Sequence, residues 1–296
     1  IEILSNLVKP DLIVKSPNKG IYDYFNHLIT MSFFQKDIKA VFSSKKFPAL
    51  RSPILICGFP GSGFVGKLAI DHVINELEGI QLADIYSTSF PPQVVIKSTG
   101  IVELMKNILY YVKNTAGSHD LLFLTGDAQP VSSKVEYLLG EEIIKIAKKL
   151  DVKQIITLGA YITGMFVESP RIFGVATDND GLELLNSYNV LKIDNGSISG
   201  MNGILLGIGK INNLKGISLL GETSGYVIDA NASKYILKKL LAIIGLSIDM
   251  EDLDKKAKET IMLIKSIEQR IGDKNPSNDD VEQMVQKKQP EIGYIS

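Results

Sequence analysis

The chain has 296 residues, of which 45% are hydrophobic and 22% charged, and its 32 basic and 33 acidic side chains leave a net charge of −1. This mixture excludes a collagen, a coiled coil and a disordered acidic chain, and it supplies enough apolar residues for a sizeable core. A net charge so near zero gives no electrostatic signature of a nucleic-acid-binding protein.

Cysteine content and the apolar runs narrow the class of protein further. Cys57 is the single cysteine of the chain, so the sequence predicts neither an internal disulfide nor a multi-cysteine metal site. We therefore expect a reducing, cytoplasmic location. No stretch approaches the roughly 20 apolar residues that a membrane helix needs, and we expect no membrane partner.

The first half of the chain shows the organisation of the fold. Residues 1–50 carry three prolines and little periodicity, which predicts an N-terminal extension lying on a larger domain, residues 51–271. Within that domain, short runs rich in Ile, Leu and Val alternate with longer periodic segments. The runs predict buried strands because each is short and most end on a glycine followed by a polar residue. These strands cover residues 53–59, 82–90, 121–127, 153–161 and 216–223.

Helix patterns separate most of the predicted strands. Ser133 and Glu136 have the spacing of a capping box at the start of one helix, and Asp229 is suited to cap another that ends at Gly245. Strands alternating with helices predict an α/β fold with a mostly parallel sheet covered by helices on both faces. Residues 94–112 hold three apolar runs without an intervening helix, which predicts an antiparallel hairpin or meander beside that sheet.

Two segments follow the sheet region. Residues 249–271 have apolar side chains spaced by three or four, which predicts a C-terminal helix with one face on the domain. Met262 and Leu263 widen this apolar surface, and we expect part of it to lie in a subunit interface. Residues 272–296 are largely polar and predict a mobile C-terminal tail. Its apolar tip, a candidate partner-binding element, consists of Ile292, Tyr294 and Ile295.

A glycine-rich loop is the sharpest local motif. Gly61, Gly63 and Gly66 have the G-x-G-x-x-G spacing between a strand and a helix, where backbone N–H groups suit a phosphate. Lys67 completes a G-x-x-x-x-G-K pattern, but Leu68 stands where a P-loop has a magnesium-binding Ser or Thr. The second strand also lacks a terminal acid of the kind that a dinucleotide site uses. The loop therefore fits a phosphate site or, as the incomplete motifs favour, a tight turn between strand and helix.

Other polar residues offer little recognisable chemistry. His27, His72 and His119 are not spaced as metal ligands, and no serine stands in a nucleophile elbow, so we expect no metal site and no catalytic residue. Asp127 and Glu222 lie at the carboxyl ends of predicted strands, where open α/β sheets bind ligands. These two carboxylates serve either acid–base or cation chemistry, or hydrogen bonds to helix starts and loop amides.

Several ordered motifs together give the chain a resemblance to a known family. No single motif is specific, but their order and spacing over roughly residues 50–270 resemble the proteasome assembly chaperone family, in its archaeal type. The motifs are GFPGSGFVGKLAIDHVINEL (58–77), SFPP (89–92), LLFLTGDAQP (121–130), IITLGAYITG (155–164), GVATDN (174–179), ISGMNGILLG (198–207) and GISLLGETSGYVIDANASKYIL (216–237).

The resemblance implies a single α/β domain with a phosphorylase-like or hydrolase-like sheet, homo-oligomers and no established catalytic residues. It also implies proteasome α subunits or the 20S core as partners, in some members through a C-terminal tail. Such docking tails end in a hydrophobic residue, a tyrosine and one further residue, whereas Tyr294 is third from the end in this sequence. Archaeal and bacterial members are often described as ATP-grasp-superfamily proteins.

Two functions of different classes follow from these patterns. The first is a non-catalytic, homo-oligomeric chaperone-like protein that binds the proteasome, for which we expect no cofactor. The alternative is a nucleotide-binding enzyme of the ATP-grasp type, an ATP-dependent carboxylate–amine ligase, that holds phosphate with the glycine loop and Lys67. The incomplete phosphate motifs favour the first function.

Overall fold

The computed structural model describes residues 36–114 and 117–272 of the chain. Eleven strands lie in these residues, and the apolar runs of the sequence supply the central ones. In chain order they are β1 (Ile38–Phe42), β2 (Ile54–Gly58), β3 (Ile80–Ser87), β4 (Val94–Ile96), β5 (Val102–Leu104), β6 (Asn107–Val112), β7 (Leu121–Gly126), β8 (Gln154–Ile162), β9 (Ile172–Ala176), β10 (Leu191–Lys192) and β11 (Lys215–Thr223).

Six α-helices lie among these strands in the same described part of the chain. A short 3₁₀ turn, Ser62–Phe64, leads into the first of them. The helices are α1 (Val65–Glu76), α2 (Ser133–Lys149), α3 (Asn179–Ser187), α4 (Gly200–Ile211), α5 (Ala230–Ile244) and α6 (Glu251–Gly272).

Nine of the described strands form one sheet, in the order β1-β3-β6-β7-β2-β8-β11-β9-β10. Its centre is parallel, since β7, β2, β8 and β11 run side by side in one direction. Antiparallel pairs flank this centre, with β6 against β7 on one side and β9 against β11 on the other. The predicted α/β fold is confirmed, with a sheet that is parallel at its centre and mixed at its margins.

Helices cover both faces of the parallel centre, as the alternation of strands and helices predicts. Ile56 and Ile156 point to the face that α1, α3 and α5 cover, whereas Leu55 and Ile155 point to the face that α2 and α4 cover. Each of these four side chains is at most 1% exposed. Because both faces are buried, the central strands are continuous apolar runs rather than alternating ones.

The structure shows how the segments near β1 are arranged, including residues 94–112, for which the sequence predicts either a hairpin or a meander. Residues 94–112 divide into two parts: β4 and β5 form a separate antiparallel hairpin, and β6 joins the main sheet between β3 and β7. β1 belongs to the predicted N-terminal extension, yet it pairs with β3 and forms that edge of the sheet. The described part of the extension therefore contributes a strand to the domain.

The predicted helix caps give one confirmation and one correction. Asp229 caps α5 through its side chain, and Gly245 ends that helix with a left-handed φ of 66°. The capping box at Ser133 and Glu136 is wrong, because Ser133 is already the first helical residue. Ser132 takes the N-cap position without a side-chain hydrogen bond, and its carbonyl oxygen accepts from the backbone N–H of Glu136 at 2.9 Å.

The predicted C-terminal helix is present as α6, which packs against α5. Its buried Leu253 and Ala257 face the domain, and Ile264 and Ile267 form a small apolar cluster with Val227. These positions follow the stripe that the sequence pattern predicts. No helix in the described residues is long and apolar enough to span a membrane.

Candidate functional site

The glycine-rich loop joins β2 to α1 at the carboxyl edge of the parallel strands, where open α/β sheets bind ligands. A Cβ atom at Gly66 would lie 2.0 Å from the carbonyl oxygen of Leu158 on β8. A Cβ atom at Gly58 would lie 2.4 Å from the carbonyl oxygen of Gly66. These two glycines therefore allow the first turn of α1 to contact the backbones of β2 and β8.

The other two glycines of the loop differ from each other. Gly63 has a φ of 62°, a left-handed conformation that favours glycine, and its carbonyl oxygen accepts from the backbone N–H of Asp229 at 2.8 Å. Gly61 is extended, with a φ of −169°, and no atom lies nearer than 4.0 Å to the place of its Cβ. Gly63 thus has a structural reason to be glycine, whereas Gly61 has no steric one.

Lys67, the candidate phosphate ligand, forms an ion pair along its own helix. Its Nζ lies 2.9 Å from Oδ2 of Asp71, one turn further on. The other carboxylate oxygen of Asp71 accepts a hydrogen bond from Oγ1 of Thr125 on β7, at 2.8 Å. The ammonium group of Lys67 is therefore engaged in a chain of polar contacts between α1 and β7.

A buried carboxylate, Asp229, joins the glycine loop to β11 and α5. Its Oδ2 accepts from Oγ1 of Thr223 at 2.7 Å, and its Oδ1 accepts from the backbone N–H of Ala232 at 2.8 Å. Burial raises the pKa of Asp229, and the hydrogen bonds from Ala232 and Thr223 act in the opposite direction. Since the backbone of Asp229 also binds Gly63, one residue fixes the loop against the end of β11.

Asp127, the first of the two predicted ligand-facing carboxylates, holds the strand beside it. Its Oδ2 accepts a hydrogen bond from the backbone N–H of Lys106 at 3.1 Å, and its own N–H donates to the carbonyl oxygen of Lys106 at 2.9 Å. Because Lys106 directly precedes β6, these two bonds fix the start of β6 against the end of β7. The carboxylate therefore has a structural partner in the fold.

Glu222, the second predicted carboxylate, forms a two-pronged ion pair with Arg171. Nε of Arg171 lies 2.9 Å from Oε2 and Nη2 lies 2.7 Å from Oε1, while the backbone N–H of Arg171 also donates to Oε2 at 3.1 Å. The hydrogen bonds from the Arg171 guanidinium lower the pKa of Glu222. The carboxylate is 2% exposed and is held ionised by this partner.

The structure does not bring Asp127 and Glu222 together. β2 and β8 separate β7 from β11 in the sheet, which places the two ends about 14 Å apart at the usual spacing of strands. Each carboxylate is also engaged by a neighbour on its own side of the sheet. The two residues therefore do not form a paired acid–base site.

Two amides that the sequence analysis did not single out complete this edge of the sheet. Gln129 donates from Nε2 to the carbonyl oxygen of Pro60 at 2.6 Å and accepts at Oε1 from the backbone N–H of Met201 at 2.8 Å. Asn202 donates from Nδ2 to the carbonyl oxygen of Leu158 at 2.8 Å. These contacts join the glycine loop, the segment after β7 and the start of α4. The only sequence signal for them is that both amides lie within the family-like motifs.

The remaining predicted residues lie apart from this edge or outside the described chain. His72 has its Nε2 2.8 Å from the carbonyl oxygen of Asp249, and His119 has its Nδ1 2.8 Å from that of Ser52. His27 and the tail residues lie outside the described residues. Within the described ranges, no group of three or more His, Cys, Asp or Glu side chains is placed to hold a metal ion. The tail residues are Ile292, Tyr294 and Ile295.

Comparisons with known proteins identify relatives over most of the domain. The family model described as "PAC2 family" matches residues 55–268. In sequence, the chain is 34% identical over 224 residues to MJ1210 of Methanocaldococcus jannaschii, a protein described as uncharacterized. That similarity covers 75% of this chain and 86% of the relative.

Two crystal structures from Pyrococcus furiosus are similar to this chain. PbaB, described as an archaeal proteasome activator, gives a TM-score of 0.73 at 38% identity and covers 79% of this chain and 99% of PbaB. PbaA, described as an archaeal homolog of proteasome-assembly chaperone, gives a TM-score of 0.63 at 25% identity and covers 85% of this chain and 100% of PbaA. Neither the family model nor these structures support membership of the ATP-grasp superfamily.

Proposed function

The chain belongs to the PAC2 family, and from that premise we propose that it is a non-catalytic protein that binds the proteasome or assists its assembly. The observation that carries this proposal is the likeness to PbaB, an archaeal proteasome activator, at 38% identity over 99% of that chain. PbaA, a homolog of proteasome-assembly chaperone, supports the same class of function. The partners that follow are proteasome α subunits or the assembled 20S core.

The polar groups at the carboxyl edge of the sheet are engaged within the fold, which favours the non-catalytic proposal over a nucleotide-binding enzyme. Lys67, Asp127 and Glu222 each have a protein partner that fixes the fold. Gly63 and Gly66 have steric reasons to be glycine. A ligase acting on a nucleotide would need free cationic and acidic groups to hold phosphates and magnesium. The nucleotide-binding alternative is therefore not favoured.

Homo-oligomers and a docking tail are the finer parts of the proposal. Met262 on α6 is 63% exposed, which leaves a large apolar side chain for a second subunit to cover. The tail tip offers aliphatic side chains and a tyrosine ring suited to a pocket between partner subunits. Several tails on one oligomer strengthen weak individual contacts by raising their effective concentration. The tip residues are Ile292, Tyr294 and Ile295.

A co-purification experiment with the 20S proteasome and separate α subunits of the same organism tests the proposal. The full chain and a chain lacking residues 291–296 are each immobilised and offered both partners. We expect the full chain to retain at least one partner at physiological salt, and the truncated chain to retain less. Retention of neither partner by either form would contradict the proposed function.

A further inference from the structure

A cleft of about 470 Å³ opens between α5 and the outer strands β9 and β10, away from the glycine loop. We call it the cationic cleft. Four positions of α5 at i, i+3, i+4 and i+7 line one wall, beginning at Tyr235 and ending at Ala242, and they form one face of the helix. Its main lining residues are Arg171, Ile172, Leu191, Tyr235, Lys238 and Lys239.

The charges of the cleft all have one sign. Arg171, Lys238 and Lys239 line it, and none of the described lining residues is acidic. Lys239 donates from Nζ to the carbonyl oxygen of Tyr188 at 2.5 Å, which leaves two of its three N–H donors for another acceptor. Lys238 lines the cleft without a hydrogen bond or a close ion pair to another described residue, although its charge is among those that lower the pKa of Asp254 on α6. The cleft therefore presents the ammonium groups of Lys238 and Lys239 on a concave surface, with N–H donors left for an acceptor.

Arg171 is fixed before any ligand arrives. Glu222 binds Nε and Nη2, and the guanidinium carbon lies 5.1 Å from the ring centroid of Phe173. The ring of Phe173 in turn stacks on that of Tyr161, with centroids 4.1 Å apart. The Nη1 group takes no part in the pair with Glu222 and remains available as a donor. A cation held in place in this way loses little side-chain entropy when it binds an anion.

The cleft also has an apolar component. Ile172 is buried, Leu191 is 44% exposed, and the ring of Tyr235 is half-buried on the wall formed by α5. Ligand sites in proteins commonly have volumes of about 300–1,000 Å³, with apolar walls and a few placed polar groups. A bare anion would use only the cations, whereas an anion on an aromatic or aliphatic body would contact both parts of the lining.

We propose that the cationic cleft binds an oxyanion, a carboxylate or a phosphate, that is carried on an apolar or aromatic body. Arg171, Lys238 and Lys239 contact the oxyanion, and Tyr235 and Leu191 contact the body. Guanidinium and ammonium groups both donate charge-assisted hydrogen bonds to such oxygens. This proposal does not rest on the proposed proteasome contacts.

Isothermal titration of the full chain with three probes tests the site. Phenyl phosphate carries a phosphate on a ring, benzoate a carboxylate on a ring, and inorganic phosphate has no body. We expect saturable binding of at least one aromatic anion at one per chain, with a dissociation constant of about 1 mM or lower. Inorganic phosphate should bind at least about threefold more weakly than phenyl phosphate, because it forgoes the apolar contacts. The stronger of the two aromatic probes identifies the oxyanion.

Paired variants locate the binding. Lys238→Gln combined with Lys239→Gln should weaken binding at least about tenfold, because two charge-assisted contacts are lost. Lys210→Gln on α4 removes one exposed positive charge outside the cleft and should leave binding unchanged. Circular dichroism confirms that each variant is folded. The proposal is overturned if neither aromatic anion saturates by about 10 mM, if inorganic phosphate binds as well as phenyl phosphate, or if the cleft variant binds as the control does.

Discussion

Arg171 and Glu222 are directly opposite neighbours at the antiparallel margin of the sheet, joined by two side-chain hydrogen bonds of 2.9 and 2.7 Å. Two further hydrogen bonds reinforce the pair: the backbone N–H of Glu222 donates to the carbonyl oxygen of Arg171, and the backbone N–H of Arg171 donates to Oε2 of Glu222. The carboxylate is buried while the guanidinium is 55% exposed. Arg171 thus compensates the buried negative charge of Glu222, while the outer part of its guanidinium is exposed to solvent.

Arg171→Ala should destabilise the protein because it leaves the buried carboxylate of Glu222 without its charged partner. We expect a clearly lower urea midpoint at neutral pH. The matched control is Lys215→Ala, which removes the partner of Asp180 in an ion pair whose two side chains are both mostly exposed. Its midpoint should stay near that of the wild type. Equal losses in the two variants would show that the burial of Glu222 has no energetic consequence.

The same pair predicts a pH dependence. Arg171 lowers the pKa of Glu222 in the folded state, so the pair stabilises the fold above the unfolded pKa of the carboxyl. That stabilisation is lost as the pH falls through the lowered, folded value. The difference in urea midpoint between wild type and Arg171→Ala should therefore shrink below about pH 4. A difference that is constant from neutral to acidic pH would assign the effect of the substitution to packing instead.

Two glycines of the loop allow a matched test of its structural role. Gly66→Ala places a Cβ 2.0 Å from the carbonyl oxygen of Leu158, and the backbone there cannot move without separating α1 from β8. We expect a loss of about 3 kcal/mol or more in the free energy of unfolding. Gly61→Ala meets no atom nearer than 4.0 Å in an extended conformation and should change the free energy of unfolding by less than about 0.5 kcal/mol. Chemical denaturation of both variants measures the contrast.

Lys67→Ala tests whether the loop binds phosphate. The substitution removes an i,i+4 ion pair with Asp71 and should cost only about 0.3–0.5 kcal/mol. If the loop binds no nucleotide, millimolar ATP with magnesium should leave the melting temperature of both wild type and variant unchanged. A ligand raises the melting temperature only when it binds the folded state. A rise in the wild type that Lys67→Ala abolishes would establish a nucleotide site and overturn the structural interpretation of the loop.

The central strands and the last two helices were predictable because their signals are local. β7 and β11 each agree within one residue at both ends with the predicted runs 121–127 and 216–223. A strand buried on both faces needs apolar residues at every position, and such runs are visible without knowledge of their neighbours. The cap at Asp229 and the apolar stripe of α6 were predictable for the same reason, because each depends only on residues within one short segment of the sequence.

α4 shows why other elements were not predicted. Glycines stand at four of its twelve positions, and each lowers helix propensity by about 1 kcal/mol relative to alanine. Packing explains three of them. A Cβ at Gly200 would lie 2.5 Å from Oε1 of Gln129, one at Gly203 would lie 2.0 Å from the carbonyl oxygen of Ile198, and one at Gly209 would lie 2.9 Å from Ile155. Tertiary contacts therefore outweigh the local preference. α3, β9 and β10 were missed as well, and β10 is only two residues long.

The arrangement of the candidate site was not predictable because its partners are far apart in sequence. Gln129 binds the backbone of Met201 across 72 positions, and Glu222 binds Arg171 across 51. The sequence shows that these residues are polar and lie at strand ends. Which of them meet depends on the strand order, and that order is set by the packing of the whole sheet.

Met262→Glu tests the proposed subunit interface on α6. Met262 is largely exposed, so a charge there should leave the fold intact, whereas its neighbour Leu263 packs against the cluster of Val227 and Ile264. We expect Met262→Glu to lower the mass measured by light scattering after size exclusion, because burying an unpaired charge disfavours association. Lys256→Gln makes the net charge equally more negative on another side of α6 and should leave the mass unchanged. An unchanged mass in Met262→Glu would place the interface elsewhere.

Tyr294→Ala tests the tail as the proteasome anchor, independently of the folded domain. The tip lies beyond the last described residue of α6, so neither the substitution nor deletion of residues 291–296 removes a contact within the described fold. Both changes should therefore leave the melting temperature and the oligomer mass as they are.

A tyrosine ring that fills a partner pocket commonly contributes about 2 kcal/mol or more to binding. Its removal should therefore lower the affinity of one tail about 30-fold. We expect Tyr294→Ala to reproduce most of the loss caused by the deletion, whereas Lys288→Ala, six residues earlier, should bind as the wild type does. Surface plasmon resonance on immobilised 20S proteasome measures all four forms. If the truncated chain binds as tightly as the full one, the proteasome contact lies on the surface of the globular domain and the tail is no anchor.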